Sequence, residues 1–251
     1  MQLIPLKTIG EVKPKATLHT ILINALQTEN ISLKTGDIVV IAQKIVSKAE
    51  GQYRDLAAVP VTAKAQLLAQ EVDKDPRLVQ LILNESSEVI RKKKGVLIVE
   101  HINGYVHANA GIDQSNIRHD TFKEPVLLLP KAPDKSAQSL ASAFNDYFNI
   151  QCGIIINDSA GRAWREGTLG FAIGTAGFNP LLDLIGKKDR EGRVLQMTKV
   201  AVADELAAAA SYLMGQADEG IPAVVIRDAN PELGCFKSQP LIRDKSFDLF
   251  R

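Results

Sequence analysis

Two polar clusters hold the residue types that handle phosphate and hard cations. NAGIDQSN, Asn109–Asn116, places one carboxylate, Asp113, beside the neutral oxygens of Ser115 and Asn116, with Gly111 permitting a tight backbone. NDSAGRAWREG, Asn157–Gly167, sets Asp158 and Ser159 next to Arg162 and Arg165. Carboxylates with hydroxyl and amide oxygens suit magnesium or manganese. The planar guanidinium fork suits phosphate oxygens. Together these types point to metal-assisted phosphoryl chemistry. The same residues also make ordinary turns and caps, so composition alone leaves Asp113 and Asp158 open between ligand and turn residue.

Two further segments point the same way. SKAEGQ, Ser47–Gln52, follows IVVIAQKIV and puts Lys44 and Lys48 near a strand exit, where they serve either as phosphate binders or as a solvated basic pair. MGQADEGIPAVVIRD, Met214–Asp228, exposes Gln216, Asp218 and Glu219 in a turn before an apolar run. Other chemistries lack their signatures. There is no GxxxxGK[ST] phosphate loop, no HExxH helix and no GxSxG elbow. His101, His107 and His119 therefore read as structural or surface residues.

The elements that must position these groups alternate between strand and helix. Apolar runs at Ile38–Ala42, Val126–Pro130 and Gly153–Asn157 are strand-sized, and the first is read as continuing through IVVIAQKIV. Thr17–Glu29 carries Leu18, Ile21, Leu22, Ala25 and Leu26 at helical spacing. Asp75-Pro76 starts a helix, by aspartate cap and first-turn proline, that is expected to end in the basic run Arg91–Lys94 with Gly95 as left-handed cap. Strands are expected at Val96–Glu100, Tyr105–His107, Pro125–Leu129, Gly153–Asn157 and Ala223–Ile226. Helices are expected from Asp134 past Phe148 and over Val200–Met214. Asp158 and Ser159 would then sit where a strand gives way to a glycine-bearing turn. The alternation predicts a mixed α/β (α+β) fold. The glycine loop of a doubly wound nucleotide fold is missing. One domain over residues 1–251 is expected, with a soft division into two lobes near 130–135.

Bulk properties bound the partners. The chain has 251 residues with 30 Lys+Arg against 29 Asp+Glu, a net charge of +1, which gives no global attraction for nucleic acid. Cys152 and Cys235 are too few for a disulfide framework. No apolar run approaches the ~20 residues of a membrane-spanning helix, and the N-terminus lacks a signal-peptide core. A cytoplasmic location is the expectation.

The succession GDIVVIAQKIVSKAEG, NAGIDQSN, NDSAGRAWREG with GFAIGTAG, VAVADELAAAA and MGQADEGIPAVVIRD resembles the gamma-glutamyl ligase family of the deazaflavin coenzyme F420. The resemblance runs from about Leu3 to Asp228. It implies an unusual α/β fold in an intertwined homodimer. It also implies a GTP-dependent ligase that adds L-glutamate to the lactyl carboxylate of the coenzyme precursor through an acyl phosphate, with a second, gamma-linked glutamate as a further step. Two magnesium or manganese ions per site, and a stimulating potassium ion, come with that family. By the same resemblance Asp113, Asp158, Ser159 and Gln216 are metal ligands, Ser159 standing where threonine is usual. Asn116, Ser47 and Lys48 correspond to nucleotide contacts. The loop Ile9, Gly10, Glu11 lies on the guanine side, with Gly10 where proline is frequent. Ala217, Asp218, Glu219 and Gly220 complete the nucleotide-side turn. Lys48 and Arg162 are expected to offset charge on the transferred phosphoryl group. A related ligase acting on another acid, or a non-catalytic binding protein, is the alternative.

Overall fold

Apolar β-branched runs build a central five-stranded sheet in the computed structural model, which describes residues 1–250. In chain order the first elements are β1 (Gln2–Leu6), α1 (Leu18–Thr28), β2 (Ile38–Ala42), α2 (Gln43–Ala49) and β3 (Tyr53–Asp55). Then come α3 (Ala63–Val72), α4 (Pro76–Asn84), β4 (Ser86–Lys93), β5 (Val96–His101), β6 (Val106–Ala108) and β7 (Pro125–Leu127). The last are α5 (Pro133–Phe148), β8 (Gly153–Arg162), β9 (Arg165–Ala176), β10 (Leu182–Asp183), β11 (Lys199–Val200), α6 (Val202–Met214) and β12 (Ala223–Arg227). The fold is mixed α/β.

The sheet order is β1-β12-β2-β8-β9. Only β2 and β8 pair in parallel within it; the other neighbours are antiparallel. Both faces are covered, which explains why its strands are continuously apolar rather than alternating. Val39, Ile41, Ile154, Ile156 and Val225 pack toward α1 and α5. Their neighbours Ile38, Val40, Ile155, Val224 and Ile226 pack toward α6. The period of two assigns each residue to one core or the other. A separate core gathers α3, α4, the sheet β4-β5-β6 and β7, running from Leu56 to Leu128. The chain rejoins the first core at Leu129.

Several elements differ from the sequence-based expectations. The helix begun by Asp75, whose side chain accepts from Arg77 N–H at 2.8 Å, stops at Asn84. Ser86–Lys93 instead forms β4, and Gly95, at φ +77°, turns the hairpin into β5. Exposed strand positions hold the basic side chains as readily as a helix terminus does. The strand at Ile38 ends at Ala42, so QKIVSKA is helical. Asp158 and Ser159 lie inside β8 rather than in a turn. The strand runs on to Arg162 past a register irregularity at Ile156/Asn157. Such irregularities re-aim side chains, often beside functional sites. The N-terminal QLIPL is an edge strand, where Pro5 sacrifices no obligatory ladder bond.

The glycine-rich stretch is β9, and its glycines allow close packing. A Cβ on Gly174 would lie 2.5 Å from the Pro133 carbonyl carbon. One on Gly170 would lie 2.6 Å from the Ala207 carbonyl oxygen and 2.5 Å from Asn157 Oδ1. The small residues of α6 are thus matched by a glycine in the strand beneath them. No helix among the described residues is long and apolar enough to cross a membrane. Cys152 and Cys235 are both free thiols.

Candidate functional site

The C-terminal end of β2 and the middle of its parallel partner β8 open into a cleft of about 480 Å³. In α/β sheets this is where neighbouring loops leave room for ligands. Asp113 and Asp158 both line it, with Ser159, Lys44, Lys48, Asn116, Gln216, Ala217, Glu219 and Gly220. Ile9, Gly10 and Glu11 form another wall. Segments far apart in the chain therefore meet here.

Each carboxylate is fixed by its backbone. Asp113 exchanges two 2.9 Å hydrogen bonds with Leu127 of β7, one through its N–H and one through its carbonyl. Before it, Asn109, Ala110 and Gly111 all have positive φ, between 52° and 65°. That left-handed run suits glycine but is strained for Ala110. Asp158 sits in the β8 ladder opposite Phe171. Burial pushes its carboxyl up to about 7, with the nearby charge of Asp113 as the second cause. Burial also raises the Asp113 carboxyl, against the pull of Lys44 and Gln43.

Helix α2 delivers side chains at i and i+4. Lys44 Nζ lies 3.6 Å from Asp113 Oδ1 and donates to the Ser115 carbonyl at 3.3 Å. One turn on, Lys48 Nζ lies 3.9 Å from Glu11 Oε1, and burial lowers its pKa. The turn after α6 is braced by Glu219, which accepts from Ala217 N–H at 2.9 Å. Asn116 Nδ2 donates to the Ala217 carbonyl at 3.1 Å, tying the Asp113 loop to that turn. Gln216 uses its Nε2 toward Ser211 Oγ at 3.3 Å, and among the described residues no hydrogen bond occupies its amide oxygen.

Three expected residues stand elsewhere. Ser47 is fully buried behind the cleft and donates to Gln43. Asp218 is exposed and outside the cleft lining. Arg162 ends β8, away from the cleft, with its guanidinium donating to the Gly167 carbonyl at 3.2 Å. The arginine that does line the cleft is Arg118. It follows NAGIDQSN by two residues, and that adjacency was the available signal. Gln43 and Asn157 also line it, the latter with a buried Oδ1 that has no hydrogen-bond partner among the described residues. His107, read as structural, is buried with Nδ1 3.7 Å from Asp158 Oδ2. Burial lowers its pKa to about 4, so it is neutral near pH 7 and brings no charge to Asp158.

The donor set decides what the cleft can hold. No group of three or more His, Cys, Asp or Glu side chains gathers among the described residues. Two carboxylates, a hydroxyl and amide oxygens remain, and these hard oxygens fit magnesium or manganese rather than zinc. Asp113 raises the pKa of the like-charged Asp158, and a bound cation would relieve such a pair.

The family described as F420-0:Gamma-glutamyl ligase matches residues 7–228 of this chain. A coenzyme F420:L-glutamate ligase of Methanothermobacter thermautotrophicus is 45% identical over 235 residues, 92% of this chain and 91% of that protein. The corresponding protein of Methanocaldococcus jannaschii is 43% identical over 219 residues, 87% of this chain and 86% of its own. One from Haloarcula marismortui is 34% identical over 259 residues, spanning 100% of this chain and 96% of its own.

Proposed function

The chain belongs to the F420-0:gamma-glutamyl ligase family and is a ligase; from that premise we propose that its cleft joins L-glutamate to the lactyl carboxylate of the deazaflavin coenzyme precursor, with GTP as phosphoryl donor. The observation that carries this reading is the meeting of Asp113 and Asp158 in one cleft with Ser159, Gln216 and Lys48. Magnesium or manganese, two per site, would be held by those two carboxylates with Ser159 and Gln216. A stimulating potassium ion belongs to the same reading. When bound, such cations offset the repulsion between a carboxylate and a triphosphate.

The chain's own residues account for the rest. Ile9, Gly10 and Glu11 on one side and Asn116 with Ala217, Glu219 and Gly220 on the other bracket the nucleotide. Lys48 places positive charge beside the transferred oxygens. Within a single chain the arginine's share of that role falls to Arg118 instead of Arg162. A lactyl carboxylate oxygen attacks the terminal phosphorus as the bond to the leaving GDP breaks, giving an acyl phosphate. The glutamate nitrogen then attacks the acyl carbon, phosphate departs and the amine proton is released. No protein nucleophile is required. A second, gamma-linked glutamate follows if the product rebinds in the same cleft.

The acyl phosphate has a direct test. Heavy oxygen placed in the lactyl carboxylate is expected to appear in the released phosphate, one atom per turnover, by mass spectrometry. Phosphate free of label, with amide still formed, would exclude the intermediate. The family reading also includes a cytoplasmic homodimer. Trp164, Met197 and Tyr212 are each nearly nine-tenths exposed, and a partner copy would cover such apolar surface. Sedimentation is expected at twice the chain mass; a monomer at high micromolar concentration would contradict it.

A further inference from the structure

Asp113 is gripped by a buried side chain at the wall of the cleft. Gln43, at the first position of α2, is buried, and its Nε2 donates to Asp113 Oδ2 at 2.6 Å. Its Oε1 accepts from Ser47 Oγ at 3.0 Å. Ser47 is one helical turn along α2, fully buried, so it has no route to a ligand in the cleft.

We propose that Gln43, held in one orientation by Ser47, is the positioning residue that fixes the carboxylate plane of Asp113 for cation binding. The inference rests on the reading of Asp113 as a metal ligand. A carboxylate turns freely about its last carbon–carbon bond unless a partner holds it. One short N–H bond to Oδ2 sets that rotation and directs the remaining lone pairs of the group toward the cleft. An amide can present either end; a carboxylate only accepts, so Asp113 takes Nε2, and the Ser47 hydroxyl donates to Oε1 and holds the amide there. The flipped amide would set oxygen against carboxylate oxygen. Lys44, next on the helix, attends the other oxygen, Oδ1, at 3.6 Å. Ser47 thus acts through Gln43, rather than by touching nucleotide as its place in the sequence suggests.

Partners that orient a metal ligand change affinity by about 10–100-fold when removed. The test is Mn2+ binding to nucleotide-free protein, read by electron paramagnetic resonance of the free ion, with thermal melting as a check on folding. Gln43→Met keeps length and volume but removes both hydrogen bonds; it is expected to weaken Mn2+ binding at least about tenfold. Ser47→Ala is expected to weaken it less. Crucially, Ser47→Ala should add nothing in the Gln43→Met background, because its whole effect passes through the amide. Affinity of Gln43→Met within about twofold of the parent, or losses that add in the double variant, would overturn the proposal. Should Gln43→Met fail to fold, Ser47→Ala decides alone: unchanged Mn2+ affinity in a normally melting protein rejects the relay. Asp113→Asn separates the two layers. If it binds Mn2+ as the parent does, the ligand reading falls and the relay with it; if it loses Mn2+ while Gln43→Met keeps it, only the relay falls.

Discussion

Asp158→Asn is expected to lower ligase turnover by about 10²–10³-fold while making the metal-free protein more stable. The two effects have one cause. Burial and the neighbouring Asp113 raise the Asp158 carboxyl from 3.8 to about 7. The ionised form is therefore held at a cost that a cation would offset. Without metal, the folded state binds this proton more tightly than the unfolded chain does. Stability from this group is complete below the ordinary carboxylate value and is lost as pH rises through about 7. Asparagine keeps the shape and one oxygen but removes the charge. In chelator at about pH 8, Asp158→Asn should melt about 10 °C higher than the parent, with the gap closing toward about pH 4. Calorimetry across pH checks the first effect and amide-forming turnover at fixed metal the second. A variant that keeps full activity removes Asp158 from the chemistry.

Arg227→Ala should do the reverse, weakening the fold and sparing the reaction. Asp37 precedes β2 and Arg227 ends β12, at the end of the sheet opposite the cleft. Arg227 donates to both oxygens of the buried Asp37, Nη2 at 2.8 Å and Nε at 3.1 Å, and Nη2 also reaches the Ser32 carbonyl at 2.8 Å. Removing the guanidinium leaves a buried carboxylate without its counter-charge, which costs about 3–5 kcal/mol. For a chain of this length that is a fall in Tm of about 6–15 °C. At a temperature well below the transition, turnover per folded molecule should match the parent. Thermal melting and activity on the same preparation test both halves. Full stability in Arg227→Ala would show that Asp37 finds another partner.

These contrasts bear on how much the amino-acid order discloses. The buried strands at Ile38 and Gly153 were legible because continuous β-branched runs of strand length have few other uses. The two aspartate clusters were legible because carboxylate, hydroxyl and glycine stood directly after such runs. What escaped depended on tertiary context. Nothing local in IVVIAQKIV marks the change from strand to helix at Gln43, since every apolar residue there suits a strand. Without that change Gln43 and Ser47 cannot be seen as partners one turn apart. The basic run after Ile90 fitted a helix terminus equally well until pairing with Val96–His101 drew it into a sheet. Arg162 looked central because it is near Asp158 in sequence. In an extended strand, however, four residues carry it well beyond the cleft, about 13 Å along β8. The turn after α6 and the Asp113 loop meet through Asn116 and Ala217, a contact no spacing rule announces.

The central claim is that this cleft forms an amide between L-glutamate and the lactyl carboxylate of the deazaflavin precursor. The most direct measurement is the mass of the deazaflavin after incubation with the purified protein, GTP, L-glutamate and Mg2+ or Mn2+, with GDP quantified in parallel. The expected result is a gain of one glutamyl residue matched by one GDP, dependent on added metal and lost in Asp158→Asn. GDP formation with an unchanged deazaflavin mass, under conditions where another carboxylic acid gains glutamate, would contradict it.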